Sequence, residues 1–378
     1  AGAAAGESAA ASLQAAASAV ASRAMRTGVR MAFFKRILPW LAGGEAPSRR
    51  DMVHRCRAIV QRLRVCFARM RNFEFAYLTS TTHPGFLNAP PLSACPDAPV
   101  VIAGVAWDGA TTNRPGSRFG PYAIRRSSHM LCDGWHPLFS VSPAGTLADA
   151  GDLQLPNTSL DAMRPLLEQA ASELLARHHV VWLGGDHSIT LSLLRAQRRR
   201  HAGPLALVHF DAHCDTWEDH MGEPSGHGTW VREAIAEKLI DPGLCVQYGI
   251  RSGSHPGVRD YLPGLGGLVF SERDLRGQVS GPQLLPFTQD FRARHAAAGR
   301  PPVYLTLDID CLDPAFAPGT GTPEPGGLSV SQVLTLLELL HDLPWAGMDI
   351  VEVSPPYDHA ELTSNAAANL VWTYLCGR

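Results

Sequence analysis

The chain has 378 residues, of which 45% are hydrophobic, so it can build a large core and is not globally disordered. Its 33 Lys and Arg residues nearly balance 35 Asp and Glu residues, and the formal net charge of −2 excludes a histone-like polyanion binder. We therefore expect no nucleic-acid partner. Eight cysteines are scattered without a CxxC pair, which argues against a disulfide framework and favours a reducing compartment. No apolar run reaches the roughly 18 residues of a membrane span, so none is expected.

The charge is unevenly distributed along the chain. Residues 1–80 contain 13 basic and four acidic side chains, a balance of +9, whereas the remaining residues carry −11. Residues 1–30 are rich in Ala and Ser and poor in acids, which predicts an organelle transit segment or a solvated low-complexity tail. We expect a mitochondrial location, with plastid and cytoplasm as alternatives. Aromatic and basic residues over 28–44 and a helical pattern over 48–70 predict a basic helical arm that docks on a membrane surface or partner.

A Pro-rich stretch at 83–99 predicts a linker from this N-terminal extension, residues 1–95, into a catalytic domain formed by residues 96–378. Short apolar runs then alternate with helical patterns. Strands are predicted at 99–107, 179–185, 205–213, 245–251, 303–310 and 348–355, with helices near 160–177, 188–201, 229–238 and 329–341. Near-continuous Val, Ile and Leu runs indicate strands buried on both faces. The sequence therefore predicts a three-layer α/β/α sandwich with a mainly parallel central sheet.

Polar side chains of metal-binding types follow three of the predicted strands. One apolar run ends in DAHCD, a second in DIDCLD and a third in GGDHS. These endings supply His187, Asp211, His213, Asp215, Asp308 and Asp310. Because the carboxyl ends of parallel strands meet at one edge of a sheet, we expect four carboxylates and two imidazoles to lie together. Buried carboxylates repel each other unless cations neutralise them, so the sequence predicts two divalent ions, and the many Asp oxygens favour a hard ion such as Mn²⁺.

Two more residues extend this predicted site. His227 lies between glycines in MGEPSGHGTW, a setting suited to proton transfer, although an ordinary loop histidine fits equally well. Glu352 ends the last predicted strand without an obvious cationic partner, which implies a cationic substrate such as a guanidinium; alone, it also fits a solvated acid. Cys214 and Cys311 neighbour the predicted ligands, but strand alternation points them away, so we expect them to pack in the core.

Five motifs carry a family resemblance. In chain order they are GGDHS, DAHCDT, HGT, LDIDCLDPAFAPGTGTPEPGGLS and VEVSPPYD. Together they resemble the signatures of the ureohydrolase family, which includes arginase and agmatinase. The segments TTNRPGSRFGPYAIR and GTGTPEPGG are more similar to the agmatinase branch. The resemblance covers about residues 98–378 and implies hydrolysis of a guanidino compound to urea and an amine, with agmatine as the preferred substrate and putrescine as the amine.

The resemblance also implies roles for individual residues. One ion would be held by His187, Asp211, Asp215 and Asp308, and a second by Asp211, His213, Asp308 and Asp310. Asp215 would pass a proton to the departing amine, His227 would relay protons to solvent, and Glu352 would orient the guanidinium. Two Mn²⁺ ions per subunit are expected, or Ni²⁺ in a guanidine-specific member, and the subunits are expected to form a homotrimer or homohexamer.

Several alternatives stay open at this point. Guanidinobutyrate, guanidinopropionate and free guanidine are possible substrates, because loops at 108–118, 217–227 and 251–256 should set specificity. Trp217 and Trp230 would narrow the site for a small substrate or pack in the core. A different class of function is a ureohydrolase-like structural or assembly subunit, anchored to a larger complex or membrane by the basic arm. A deacetylase-like hydrolase is disfavoured because DxHxD and DxD strand endings fit two metals better.

Overall fold

The computed structural model describes residues 85–378. Eight parallel strands form one sheet in the order β2-β1-β3-β8-β7-β4-β5-β6. The strands are β1 (Val100–Gly104), β2 (Leu147–Asp152), β3 (His179–Leu183), β4 (Leu205–Phe210), β5 (Ile240–Ile250), β6 (Leu268–Ser271), β7 (Val303–Asp308) and β8 (Trp345–Val351). The longer helices are α1 (Gly120–Ser127), α2 (Leu160–Leu175), α3 (Ile189–Arg198), α4 (Trp230–Ala236), α5 (Pro286–Ala297), α6 (Val330–Leu339) and α7 (Leu362–Gly377). Single helical turns lie at Pro256–Arg259, Tyr261–Gly264, Glu272–Leu275 and Gly281–Leu284.

Two hydrophobic cores cover the two faces of the sheet. In β3, Val181 packs in one core and its neighbour Val180 in the other, as alternation along a strand requires. Helices α1, α5, α6 and α7 contribute to the first core, and α2, α3 and α4 contribute to the second. The predicted three-layer α/β/α sandwich with a parallel sheet is therefore confirmed. Within the described residues, none of the helices combines the length and apolar character needed to cross a bilayer.

Local sequence sets where the main helices begin. The Ser159 side chain accepts a hydrogen bond from the amide of Ala162 and caps α2, and a reciprocal capping box between Ser329 and Gln332 starts α6. All six predicted strands and all four predicted helices are present. Edge strands β2 and β6 were not predicted, because LADAGD is partly polar and LVFS is only four residues long. Helices α1, α5 and α7 were not predicted either.

In the described part of the Pro-rich stretch, apolar side chains pack into the core, and the division into an N-terminal extension and a catalytic domain at residue 95 stays a prediction. Phe86 is fully buried in the first core, together with Leu87. The amide of Phe86 donates to Asp149 Oδ2 at 2.9 Å, and that carboxylate also pairs with the buried guanidinium of Arg125. The apolar side chains of Phe86 and Leu87 anchor this segment in the core. The high proline content of the segment gave no sign of this packing. The predicted transit segment, the membrane-docking segment and the helix over 48–70 lie outside the described residues.

The sheet topology brings the predicted site together. Strands β3, β8, β7 and β4 are adjacent in the middle of the sheet, and each is followed at its carboxyl end by predicted site residues. In open parallel sheets this edge is where ligands bind. The fold thus assembles at one place residues that are 165 positions apart in the chain, namely His187 and Glu352.

Candidate metal centre and active site

The first cluster of metal-binding groups surrounds the ring of His187, which follows β3 and the glycine turn. Its Nδ1 lies 3.1 Å from Asp211 Oδ2, 3.1 Å from Asp215 Oδ2 and 3.3 Å from Asp308 Oδ2. These four side chains are all nearly or fully buried, and His187 Nδ1 has no hydrogen-bond partner among the described residues. A buried nitrogen that faces three carboxylate oxygens without hydrogen-bonding to any of them fits a cation between them.

The second cluster surrounds His213. Its Nδ1 lies 3.1 Å from Asp310 Oδ2 and 3.3 Å from Asp211 Oδ1. Asp211 therefore faces His187 with one oxygen and His213 with the other, so it lies between the two clusters. Asp308 contacts the first cluster through Oδ2, while its Oδ1 accepts the amide of Asp310 at 2.8 Å. A bridging role for Asp308 stays a prediction.

The electrostatics of these clusters call for positive charge. Burial disfavours the charged ring of His187, but the surrounding carboxylates outweigh it and hold its pKa well above the usual value. Burial, reinforced by the charges of Asp310 and Asp211, raises the pKa of Asp308 well above its usual value. The pKa of Asp211 is shifted in the opposite direction. Burial favours the neutral form of Asp211, but three neighbouring imidazoles hold its pKa well below the usual value. Divalent cations would relieve the repulsion among these buried carboxylates.

Two of the predicted site residues have a strained backbone. Asp215 has φ 53° and Glu352 has φ 62°, in the left-handed region that residues other than glycine seldom adopt. The Trp230 indole N–H donates to Asp215 Oδ2 at 2.6 Å and holds that carboxylate against the first cluster. Trp230 is fully buried, so it is both a core residue and a neighbour of the site. Strain of this kind persists where the surrounding structure enforces it, as at functional sites.

Glu352 and His227 form a buried pair beside the first cluster. Glu352 Oε1 accepts the His187 amide at 3.0 Å and lies 2.9 Å from His227 Nδ1. The other oxygen, Oε2, is buried and has no hydrogen-bond partner among the described residues. Beside it lies Gly321, where an added Cβ would come within 3.5 Å of Oε2 and 3.1 Å of the Arg114 carbonyl oxygen. An unpaired buried carboxylate oxygen next to a glycine provides an acceptor for a cationic donor group.

Opposing influences act on the His227 ring. Burial disfavours the charged ring, but the adjoining Glu352 carboxylate raises the pKa of His227 to about 9. On the other side of the ring, the Thr112 amide donates to Nε2 at 3.2 Å, which favours the neutral form because a protonated Nε2 cannot accept. The Thr112 hydroxyl also lies 2.9 Å from Nε2. His227 is thus held between a carboxylate and a loop, a position suited to exchanging a proton.

Three further polar residues lie near the site, and the motifs did not predict a role for them. His209 Nε2 lies 2.8 Å from Asp211 Oδ2, and its position two residues before Asp211 in β4 was the available signal. Asp349 lies behind His187 and contacts Thr306. The Asp186 carboxylate accepts hydrogen bonds from the amides of Ala110 and Ser188 and from the Ser188 hydroxyl.

Two cysteines and one tryptophan that were considered in the sequence also lie near the site. Cys214 and Cys311 are both buried, in agreement with the predicted packing role. The Trp217 ring lies 6.4 Å from the ring of His213, beside the second cluster.

Comparison with known proteins identifies the family. Residues 98–377 match the model of the Arginase family. The chain belongs to the arginase family. This arginase-family chain is 40% identical over 306 residues to proclavaminate amidinohydrolase from Streptomyces clavuligerus, covering 78% of this chain and 94% of that protein. It is 39% identical over 286 residues to agmatinase from Chromobacterium violaceum, covering 73% and 83%.

The solved structures agree with this assignment. A crystal structure of a hypothetical agmatinase from Burkholderia thailandensis matches with a TM-score of 0.71 at 37% identity, covering 79% of this chain and 91% of that chain. The structure of the proclavaminate amidinohydrolase matches with a TM-score of 0.69 and covers 99% of that chain. The resemblance inferred from the motifs is confirmed. The protein is a metal-dependent amidinohydrolase of the arginase family, with a His/Asp cluster that can hold metal.

Proposed function

We propose that this arginase-family enzyme hydrolyses agmatine to putrescine and urea and uses two Mn²⁺ ions per chain. The agmatine-specific part is supported by the several agmatinases among its relatives at about 40% identity. The observation that carries the proposal is the buried, unpaired Oε2 of Glu352 beside the two His/Asp clusters. A guanidinium is planar and cationic with several N–H donors, so it would satisfy this oxygen through a charge-assisted hydrogen bond.

The donor set of the clusters fits the proposed metal. Four aspartates supply hard oxygen donors and each cluster has one imidazole, a combination that suits Mn²⁺ better than an ion that prefers thiolates. His187, Asp211, Asp215 and Asp308 would hold one ion, and Asp211, His213, Asp308 and Asp310 the other. When bound, the ions would lower the pKa of water and stabilise negative charge that develops on the substrate.

The protein groups around the clusters would orient the substrate and move protons. Glu352 has its Oε1 fixed by two N–H donors, so Oε2 is held in place to bind the guanidinium. The departing amine needs a proton, and we propose that Asp215, positioned by Trp230, delivers it. His227 would relay protons between the site and solvent beside the partly exposed loop that carries Thr112.

We also propose mitochondrial import and homo-oligomer formation for this enzyme. The first follows from the Arg-rich, acid-poor composition of residues 1–30. Fusing residues 1–80 to a fluorescent protein should direct it to mitochondria, and a cytoplasmic or plastid signal would reject this location. Sedimentation of the purified chain should give a trimer or hexamer, and a monomer would reject the homo-oligomer.

A substrate panel tests the proposed activity. The metal-free protein is loaded separately with Mn²⁺ and Ni²⁺, and kcat/KM for urea release is measured with agmatine, guanidinobutyrate, guanidinopropionate, arginine and guanidine. We expect agmatine with Mn²⁺ to give the highest value. Guanidinobutyrate is the matched control, because it differs from agmatine at the distal end of the chain and has a carboxylate there instead of an ammonium. A higher kcat/KM for another substrate would reject agmatine, and no urea from any substrate would reject the hydrolase.

A further inference from the structure

A buried chain of polar groups runs behind His187, on the side of the ring away from the first cluster. His187 Nε2 lies 2.8 Å from Thr306 Oγ1, and Thr306 Oγ1 donates to Asp349 Oδ1 at 2.5 Å. All three side chains are 0–1% exposed. The chain connects a residue that follows β3 with residues inside β7 and β8, so the middle of the sheet fixes its geometry.

Counting hydrogens assigns the direction of each hydrogen bond in this chain. The Asp349 carboxylate faces three hydroxyl groups: Thr306 at Oδ1, and Tyr304 and Thr190 at Oδ2, at 2.9 and 3.0 Å. A carboxylate only accepts hydrogen bonds, so each hydroxyl donates to it. Because the Thr306 hydroxyl has a single hydrogen, its oxygen is left to accept a hydrogen bond from His187 Nε2–H.

This assignment determines which nitrogen of His187 is free to bind metal. A neutral imidazole that carries its hydrogen on Nε2 has a lone pair on Nδ1. Nδ1 is the atom that faces Asp211, Asp215 and Asp308 and has no hydrogen-bond partner among the described residues. We propose that Thr306, with its hydroxyl hydrogen committed to Asp349, is a positioning residue that fixes the metal-binding tautomer of His187. This inference rests on the metal centre proposed above.

The second cluster has a different arrangement. His213 Nε2 lies 3.8 Å from Glu324 Oε1, which exceeds hydrogen-bond distance, and the Glu324 side chain is 35% exposed. Of these two histidines, His187 thus has a buried chain of hydrogen-bond partners behind its ring, and His213 does not. Losing the Thr306 hydroxyl should therefore weaken the ion at His187 and spare the ion at His213. Partners of this kind change metal affinity by about 10- to 100-fold.

Metal binding measured by competition with a chelator tests the inference without using enzyme activity. Thr306→Val keeps the shape of the side chain but removes the hydroxyl, and we expect it to weaken one of the two ions about 10- to 100-fold and leave the other within about threefold. Thr306→Ser retains the hydroxyl and should bind both ions like the wild type. Tyr304→Phe is the matched control, because it removes a donor to the other oxygen of Asp349 and does not touch His187.

A double variant shows whether Thr306 acts through His187. In a His187→Ala background, Thr306→Val should cause no further loss of metal affinity, because the partner on which it acts is gone. Thermal unfolding of the metal-free variants verifies that each one is folded. The inference is overturned if Thr306→Val binds both ions normally, if Thr306→Ser or Tyr304→Phe weakens binding equally, or if the wild type binds no divalent ion. Failure of the substrate panel alone would reject the proposed activity and leave this result intact.

Discussion

Replacing Glu352 with Gln should remove guanidinium binding while leaving the fold and the metal clusters in place. The amide oxygen of Gln can still accept the His187 amide and the His227 ring N–H, which hold Oε1 in the native protein. The amide NH₂ then replaces Oε2, the unpaired oxygen. The substrate therefore loses a charged acceptor and meets two N–H donors.

The size of the effect follows from removing one partner of a buried charge pair, which costs about 2–5 kcal/mol. At about 1.4 kcal/mol per tenfold change, kcat/KM for urea release should fall about 30- to 4,000-fold. The assay is urea release from agmatine at saturating metal, with bound metal measured in the same samples. Glu338→Gln makes the same chemical change on α6, away from the site, and should have no effect. Two results would refute the reasoning: a kcat/KM within threefold of the wild type, or a parallel loss of bound metal, which would place Glu352 in the metal centre.

Three further predictions concern stability. Removing the metal with a chelator should lower Tm, because binding of an ion at 100 times its Kd contributes about 2.7 kcal/mol; an unchanged Tm would argue against a tightly bound ion. Burial, with the charges of Arg378 and Arg200, lowers the pKa of His179 to about 3, so protonation favours the unfolded chain, in which the pKa is about 6.5. The stability that neutral His179 provides is fully present above pH 6.5 and is lost as pH falls toward 3, by about 1.4 kcal/mol per pH unit. His179→Gln should remove this contribution from the pH dependence of the unfolding free energy measured by urea unfolding. Identical pH profiles for the variant and the wild type would contradict the prediction. Phe86→Ala should cost about 3–5 kcal/mol of unfolding free energy, whereas exposed Leu138→Ala should cost less than about 0.5, and equal costs would show that Phe86 is not a core residue.

Much of the fold could be predicted because the central strands are continuous apolar runs. Strands buried on both faces, such as LALVHF, have no other stable environment, and their polar endings mark the ligand-binding edge. The edge strands were missed because an edge strand needs fewer apolar residues, as LADAGD illustrates. Phe86 was missed because it lies in a Pro-rich stretch, and composition does not reveal that one aromatic side chain in that stretch packs in the core.

The residues of the candidate site could also be predicted only in part from the sequence. Strand alternation predicted that Asp211 and His213 would face one side, and the same rule, applied two residues earlier, would have identified His209. Asp349 and Thr306 are different, because they lie in the middle of apolar strands, where a polar residue gives no sign of its partner. Their connection to His187 depends on the order of β3, β8 and β7, which only the three-dimensional structure provides.

A single titration that measures bound metal and activity together tests the proposed two-metal hydrolysis of agmatine directly. Metal-free protein is titrated with Mn²⁺, and bound metal, urea and putrescine are measured in the same samples with agmatine as substrate. We expect activity to be absent without metal, to reach its maximum at two bound ions per chain, and to yield urea and putrescine in equal amounts. Full activity without metal, or two bound ions with no urea formed, would contradict it.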